Sequence, residues 1–427
     1  MKDVSTYRKR IADKLLSEQL EASGAVLVQG PKWCGKTTTA EQIAGSIIYM
    51  DEPKNRMANM ILAETDPQVL LQGAVPRVID EWQLAPLLWD TVRFEVSHRR
   101  VPGQFILTGS AVPLDLSGQT HSGIGRIARL TMRTMSLWES GESNGSVSLA
   151  SMFSGEPVSA ASAGTSLEML AYQICRGGWP GSLGLSPKAA LRQASNYVDA
   201  VAESDISRVD GVSRDADFAR RLMRSYARHQ GGQVSVRTIY EDLLSNQSGS
   251  MSEDTIASYI MALKKIFVIE DLQAWNPNLR SKTAIRTSDT RFFSDPSIAA
   301  ASLGVGPDDL LSDLNTLGLL FETMAVRDLR VYADALDGRL YHYRDKTGLE
   351  CDAVIHLRNG RYGMIEIKLG GDTLIESGAR NLLKLAGKID TGRMSTPSFL
   401  MVLTGTGQYA YRRSDNVCVV PINCLKD

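Results

Sequence analysis

Gly30-Pro31-Lys32-Trp33-Cys34-Gly35-Lys36-Thr37 is a complete G-x-x-x-x-G-K-[ST] string, the signature of a loop that cradles phosphates. Its setting fits. Residues 25–29 before it are apolar and β-prone, and residues 37–44 after it read as a helix. A strand feeding a glycine-rich turn feeding a helix aims backbone N–H groups and the positive helix end at an anion. Lys36 is placed to reach the β- and γ-phosphates and the Thr37 hydroxyl to ligate Mg²⁺, with Thr38 next in the first helical turn. A chance match in a glycine-rich turn is the competing reading, and the flanking strand and helix count against it. The expectation is a nucleoside triphosphate bound with Mg²⁺.

Residues 75–81, Val-Pro-Arg-Val-Ile-Asp-Glu, form a second apolar strand ending in two acids. Asp80 is placed to hold Mg²⁺, directly or through water. Glu81 is placed to polarise the attacking water, the step that turns binding into hydrolysis. Without the phosphate loop, two solvated acids at a strand end would be the better reading. A third strand, Phe105-Ile106-Leu107-Thr108-Gly109-Ser110, ends in small hydroxyl residues, and either Ser110 or Thr108 is a candidate neighbour of the γ-phosphate.

These three stretches in this order resemble the AAA+ family, and within it the prokaryotic ATPases of the AAA_14 and DUF4143 kind, over nearly the whole chain. The resemblance implies ATP as the nucleotide, Gln83 as part of the acidic motif and Ser110 as the sensor residue. It implies that Gly125-Arg126 is the Gly-Arg preceding the fifth strand, where Arg126 serves the nucleotide of a neighbouring subunit. Arg129 and Arg133 compete for that role. It also implies a homo-oligomeric ring, a hexamer. Many relatives carry Arg-Gln where this chain has Lys32-Trp33.

The chain has 427 residues, enough for two or three domains with proper cores, and a net charge of −1, so any nucleic-acid site is a local patch. Its five cysteines, at 34, 175, 351, 418 and 424, show no C-x-x-C spacing. That argues against a disulfide framework or zinc site and for a reducing compartment. Cys34 lies in the phosphate loop, where alkylation is expected to block nucleotide. No apolar run approaches the roughly 18–20 residues that span a bilayer, and residues 1–10 lack an apolar signal core. The expectation is a cytoplasmic protein with no membrane partner.

The sequence divides into four expected parts: an α/β ATPase core with a parallel sheet over 1–139, an insertion and helical lid over 140–214, a winged-helix-like domain over 215–300, and a nuclease-like α/β domain over 301–427. Residues 140–166 are rich in Ser, Gly and Ala and read as a loop with one short helix. In residues 217–229, Phe218, Leu222 and Tyr226 recur at helical spacing, with Arg220, Arg224 and Arg228 opposite. No acid occurs from 218 to 240, and Arg280 and Lys282 fall in the expected wing. Helix, helix and β-wing is a common DNA-binding arrangement. A solvated basic face on a protein-binding module is the alternative.

In the last third, Asp352 opens one strand, and Glu366 and Lys368 lie two apart on the next, so both project from one face. With Glu322 on a preceding helix, this pattern resembles the PD-(D/E)xK nuclease-like fold. In an active member Asp352 and Glu366 hold Mg²⁺, Lys368 orients water and Glu322 is an outer ligand. An exposed charge pair is the competing reading of Glu-x-Lys. The whole points to a ring ATPase that binds and remodels or translocates DNA, with branched DNA a candidate substrate. Two rivals stand beside it: an ATP-gated, Mg²⁺-dependent nuclease of a defence or repair system, and an ATP-dependent signalling switch whose winged helix binds protein.

Overall fold

Ala25–Gln29 (β1) is the second strand from one edge of a five-stranded sheet, and every other strand of that sheet runs parallel to its neighbours. The others are Ser46–Tyr49 (β2), Arg77–Asp80 (β3), Phe105–Gly109 (β4) and Ile127–Thr131 (β5), in the spatial order β2-β3-β4-β1-β5. Parallel strands are covered on both faces, so both sets of alternating side chains are apolar. On one face Val26, Val28, Val78 and Ile106 pack with Ala12, Leu16 and Leu20 of helix Ile11–Ala22 (α1). On the other, Leu27, Ile79, Phe105 and Leu107 pack with Leu88, Trp89, Val92 and Val96 of helix Leu87–Arg99. Each fully buried side chain of this size contributes about 1.5–3 kcal/mol.

The structure is a computed structural model, and it describes residues 7–110, 125–162, 164–244, 252–277, 288–390 and 394–427. The chain forms two units. The first comprises Met1–Thr134, Glu203–Arg214 and Ile260–Val268; the second comprises Met135–Ala202, Asp215–Tyr259 and Ile269–Asp427.

The second unit holds Val147–Ser148 (β6), Ser159–Ala161 (β7), Gly338–Arg344 (β8), Glu350–Leu357 (β9), Tyr362–Lys368 (β10), Phe399–Thr404 (β11), Tyr409–Arg412 (β12), Val417–Pro421 (β13) and Leu425–Lys426 (β14). Seven of them make a mixed sheet in the order β7-β12-β13-β11-β10-β9-β8, and β6 pairs with β14. Helix Asp372–Ala386 seals one face through Ala379, Leu382 and Leu385 against Val354, Met364 and Val402. Residues 140–166 depart from the expected loop with one short helix. Helices Leu137–Ser140 and Leu149–Phe153 and strands β6 and β7 occupy this part of the chain. The Ser143 hydroxyl donates to the Leu425 carbonyl at 2.7 Å, so the stretch is stitched to the chain's last strands.

Three helices, Ala216–Arg228, Val236–Leu244 and Glu253–Lys265, precede two antiparallel bridges, Ile269 with Phe293 and Leu272 with Thr290. The turn Gly177-Gly178-Trp179-Pro180 is fixed by a buried ionic network. Arg327 reaches Asp295 at 3.2 Å and Asp328 at 2.7 Å. Asp295 accepts the Gly178 N–H at 3.0 Å and Asp328 the Leu137 N–H at 3.0 Å. A side chain at Gly178 would bring its Cβ to 2.2 Å from the Met135 carbonyl oxygen, so only glycine fits. Burial pushes the Asp328 carboxyl up to about 6 against the pull of Arg327.

Removing one partner of a buried ion pair strands the other without water, at about 3–5 kcal/mol. Arg327→Met is therefore expected to lower unfolding stability by about that amount in urea titrations followed by circular dichroism. A wild-type midpoint would show that the network carries no stability.

Candidate nucleotide site

The phosphate loop leaves β1 in a conformation that its glycines permit. Gly30 has φ 150° and Gly35 φ 101°, both in the region that favours glycine. A Cβ on Gly30 would lie 2.0 Å from the Met132 carbonyl oxygen, so the loop rests directly on the backbone that leaves β5. Trp33 takes φ 65° and remains 53% exposed. Cys34 is fully buried, its thiol 3.5 Å from the Met132 carbonyl. The expected alkylation at Cys34 therefore requires the loop to open. Lys32 forms an ion pair with Asp205 at 2.5 Å, on the 203–214 segment of the same unit.

Lys36 opens helix Lys36–Glu41 (α2) and is buried, its ammonium donating to the Gly30 carbonyl at 3.0 Å and the Pro31 carbonyl at 2.8 Å. The Thr37 hydroxyl donates to Asp80 Oδ1 at 2.8 Å, and the Thr108 hydroxyl donates to the same oxygen. Of the two hydroxyls at the end of β4, Thr108 takes the carboxylate. Ser110 is buried just beyond, at the same edge of the sheet. Thr37 and Asp80 are hard oxygen groups of the kind Mg²⁺ takes when phosphates and water complete its shell, so the residues fit that ion. Among the described residues no three His, Cys, Asp or Glu side chains converge as a self-sufficient cation site.

Glu81 follows Asp80 in a left-handed conformation, φ 54°, which turns its side chain away from the strand's alternation. The Gln83 amide donates to its carboxylate. Burial raises the carboxyls of both Asp80 and Glu81. The Thr108 and Thr37 hydroxyls and Lys36 draw Asp80 back, while the charge of Asp80 raises Glu81 further and Lys36 and Gln83 oppose it. A buried acid beside a half-buried one favours a nearby cation. Gly109 lies close beside them: a Cβ there would meet the Gln83 amide oxygen at 2.5 Å, so a larger residue would displace the Gln83 side chain.

Arg126 is exposed and sits at the start of β5, paired through the register of Ala25 with Ile127. Five residues of strand at about 3.3 Å each separate that end from the phosphate loop, roughly 16 Å. The side chain donates to Ser97 Oγ at 2.5 Å. Arg129 lies over the Trp89 ring at 5.7 Å, and Arg133 follows the other end of β5.

In the second unit Glu322, Asp352, Glu366 and Lys368 form one electrostatic cluster. Lys368 bridges the two acids, at 3.0 Å from Asp352 and 2.7 Å from Glu366. Asp352 also accepts the Ile367 N–H at 2.7 Å, and Asn381 donates to Glu366 at 2.7 Å. Burial, then the charge of Asp352, pushes Glu366 up to about 7 and raises Glu322 well above the carboxylate range. Asn381 had no spacing to mark it, since it lies on a helix 15 residues beyond Glu366.

The basic helix buries Phe218, Leu222 and Tyr226, as its spacing predicts. Two of its arginines meet acids, one of those acids on the same helix. Arg220 pairs with Asp199 and Asp217, and Arg228 with Asp242, each at 3.2 Å, while Arg224 is exposed. Arg280 and Lys282 lie outside the described residues.

Residues 22–140 match the family model of an AAA domain, AAA_14, and residues 317–425 match a domain of unknown function, DUF4143. Residues 167–309 match a second domain of unknown function, DUF8612. Uncharacterized proteins of Mycobacterium tuberculosis and Mycobacterium bovis are 24% identical over 417 residues, covering 97% of this chain and 83% of their own. Among solved structures, a Walker-type ATPase of Pyrococcus abyssi is 15% identical with TM-score 0.41, covering 68% of this chain and 94% of its own. The Aeropyrum pernix Orc1 protein in complex with DNA is 13% identical with TM-score 0.24, covering 72% and 94%.

The expected roles of Lys36 and Glu81 separate nucleotide capture from water activation. Lys36→Ala is expected to abolish ATP binding, and Glu81→Gln to retain it while hydrolysis falls steeply, read by calorimetry and phosphate release. Wild-type turnover by Glu81→Gln would remove Glu81 from the base role.

Proposed function

We propose that this chain, an AAA-type P-loop ATPase carrying AAA_14 and DUF4143 domains, couples ATP hydrolysis to binding and remodelling or translocation of DNA as a ring oligomer. The observation that carries the hydrolytic part is the convergence of Thr37 and Thr108 on Asp80 with Glu81 beside it. The loop amides and Lys36 are the groups that would hold the triphosphate, and Thr37 with Asp80 would hold Mg²⁺, which would supply charge neutralisation at the phosphates. Glu81, oriented by Gln83, takes the proton of the attacking water. Ser110 senses the γ-phosphate from the end of β4.

Arg126 acts on the neighbouring subunit's nucleotide. Its place at the far end of β5, roughly 16 Å from its own loop, supports action in trans. An arginine supplied this way is worth on the order of 10³–10⁵ in rate. Mixing Arg126→Ala with Lys36→Ala subunits is expected to restore part of the ATPase, because a mixed interface pairs an intact loop with an intact arginine. Mixed assemblies that form but stay inactive would overturn the assignment.

The DNA part rests on Arg224 and Arg228, exposed on one helical face, with Arg220 beside them and Arg280 and Lys282 in the wing sequence. Such contacts read phosphates, not bases. The pairing of Arg220 and Arg228 with acids favours a second reading, a switch whose winged helix binds protein. No helix of the described residues is long and apolar enough to cross a membrane. Replacing Arg224 and Arg228 with Ala is expected to weaken duplex binding for all sequences alike and flatten the salt dependence by roughly one to two units. Unchanged affinity and slope would favour the protein-binding switch. The Asp352, Glu366 and Lys368 cluster supports a nuclease-like domain in the same assembly, and Mg²⁺-dependent nicking lost in Asp352→Ala would make cleavage its role.

A further inference from the structure

The segment just before α1 is tied into the underside of the phosphate loop. Arg10 is 6% exposed, and its guanidinium donates to the Cys34 carbonyl at 2.8 Å and to the Arg133 carbonyl at 2.8 Å. Three residues earlier, the Tyr7 hydroxyl donates to Asp13 at 2.5 Å and lies 2.8 Å from the Thr39 hydroxyl on α2. Asp13 also accepts the Arg10 N–H at 2.9 Å. Burial and Asp13 together raise the Tyr7 phenol, which keeps it protonated. One short stretch thus grips the loop, the helix after it and the backbone leaving β5.

We propose that Arg10 is a positioning residue for nucleotide binding: it holds the loop's Cys34–Gly35 peptide in the orientation that phosphate capture needs, with Tyr7 securing α2. The C=O and N–H of a trans peptide point in opposite directions. Drawing the Cys34 carbonyl inward to Arg10 therefore turns the Gly35 N–H outward, to the side on which a phosphate loop receives its anion. Gly35 adopts φ 101°, a conformation open to many alternatives in a glycine, so the peptide before it needs an external hold. The Arg133 bond fixes the guanidinium to the same backbone on which Gly30 rests, so the clamp and the loop share one rigid support. A guanidinium buried there also adds a full positive charge beneath a triphosphate. Lysine has no planar fork to hold the two carbonyls in one fixed geometry.

The inference rests on the nucleotide-binding reading, and the test separates the two. Arg10→Gln and Arg10→Lys are measured in the full chain for Mg·ATP affinity by calorimetry and for Cys34 labelling by iodoacetamide, read by peptide mass with the four other cysteines as internal references. Hydrogen bonds to a charged group contribute enough that losing both is expected to weaken affinity on the order of tenfold to a hundredfold in Arg10→Gln. Arg10→Lys should recover part of it. Cys34 labelling should rise at least about tenfold in Arg10→Gln while Cys175, Cys351, Cys418 and Cys424 stay protected. Tyr7→Phe, which removes one hydroxyl only, serves if Arg10→Gln fails to fold, and should raise Cys34 labelling roughly twofold to threefold. Wild-type affinity and labelling in a folded variant, or equal labelling of all five cysteines, would overturn the proposal. A wild-type chain that binds no ATP would instead overturn the nucleotide reading, and the labelling would still report on the clamp.

Discussion

The Asp80 carboxylate is the point on which the first unit's chemistry converges. It accepts hydroxyl hydrogens from Thr37 on α2 and Thr108 on β4, and so joins three chain segments that are far apart in sequence. The convergence follows from topology. In the order β2-β3-β4-β1-β5, β4 lies between β1 and β3, and all run the same way, so their C-terminal ends meet at one edge. Ligands of open parallel sheets bind at that edge. The burial that makes the sheet stable also strips water from Asp80 and Glu81, raising both carboxyls and leaving a site that welcomes cations.

The candidate nucleotide site was legible in the sequence because its determinants are local. The loop needs glycines at fixed spacing, and Asp80, Glu81 and Thr108 sit at the ends of strands whose apolar runs announce them. The supports were not legible. Arg10 earns its place through carbonyls 24 and 123 residues away, and no spacing marks such contacts. Strands of two and three residues, β6 and β7, have too few positions to show a period, so a Ser- and Gly-rich stretch reads as loop until its partners in the last strands are known. The basic helix face was legible, but its neutralising acids were not: Asp199 and Asp242 come from neighbouring helices.

The second unit handles buried charge in two ways. Around Arg327, every acid has a cationic or backbone partner, which stitches four separate segments together. Around Lys368, the acids outnumber the cation, and Glu322 and Glu366 lie above the usual carboxylate range. The first pattern fixes structure. The second leaves the acids with more negative charge than Lys368 balances.

The coupling of hydrolysis to DNA is tested most directly by steady-state ATPase rates at constant ionic strength with no DNA, single-stranded DNA, duplex, forked and four-way DNA. The account predicts that DNA raises the rate, with forked and four-way forms at least as effective as duplex, and that the stimulation fades as salt is increased. A rate identical with and without every form of DNA would contradict it.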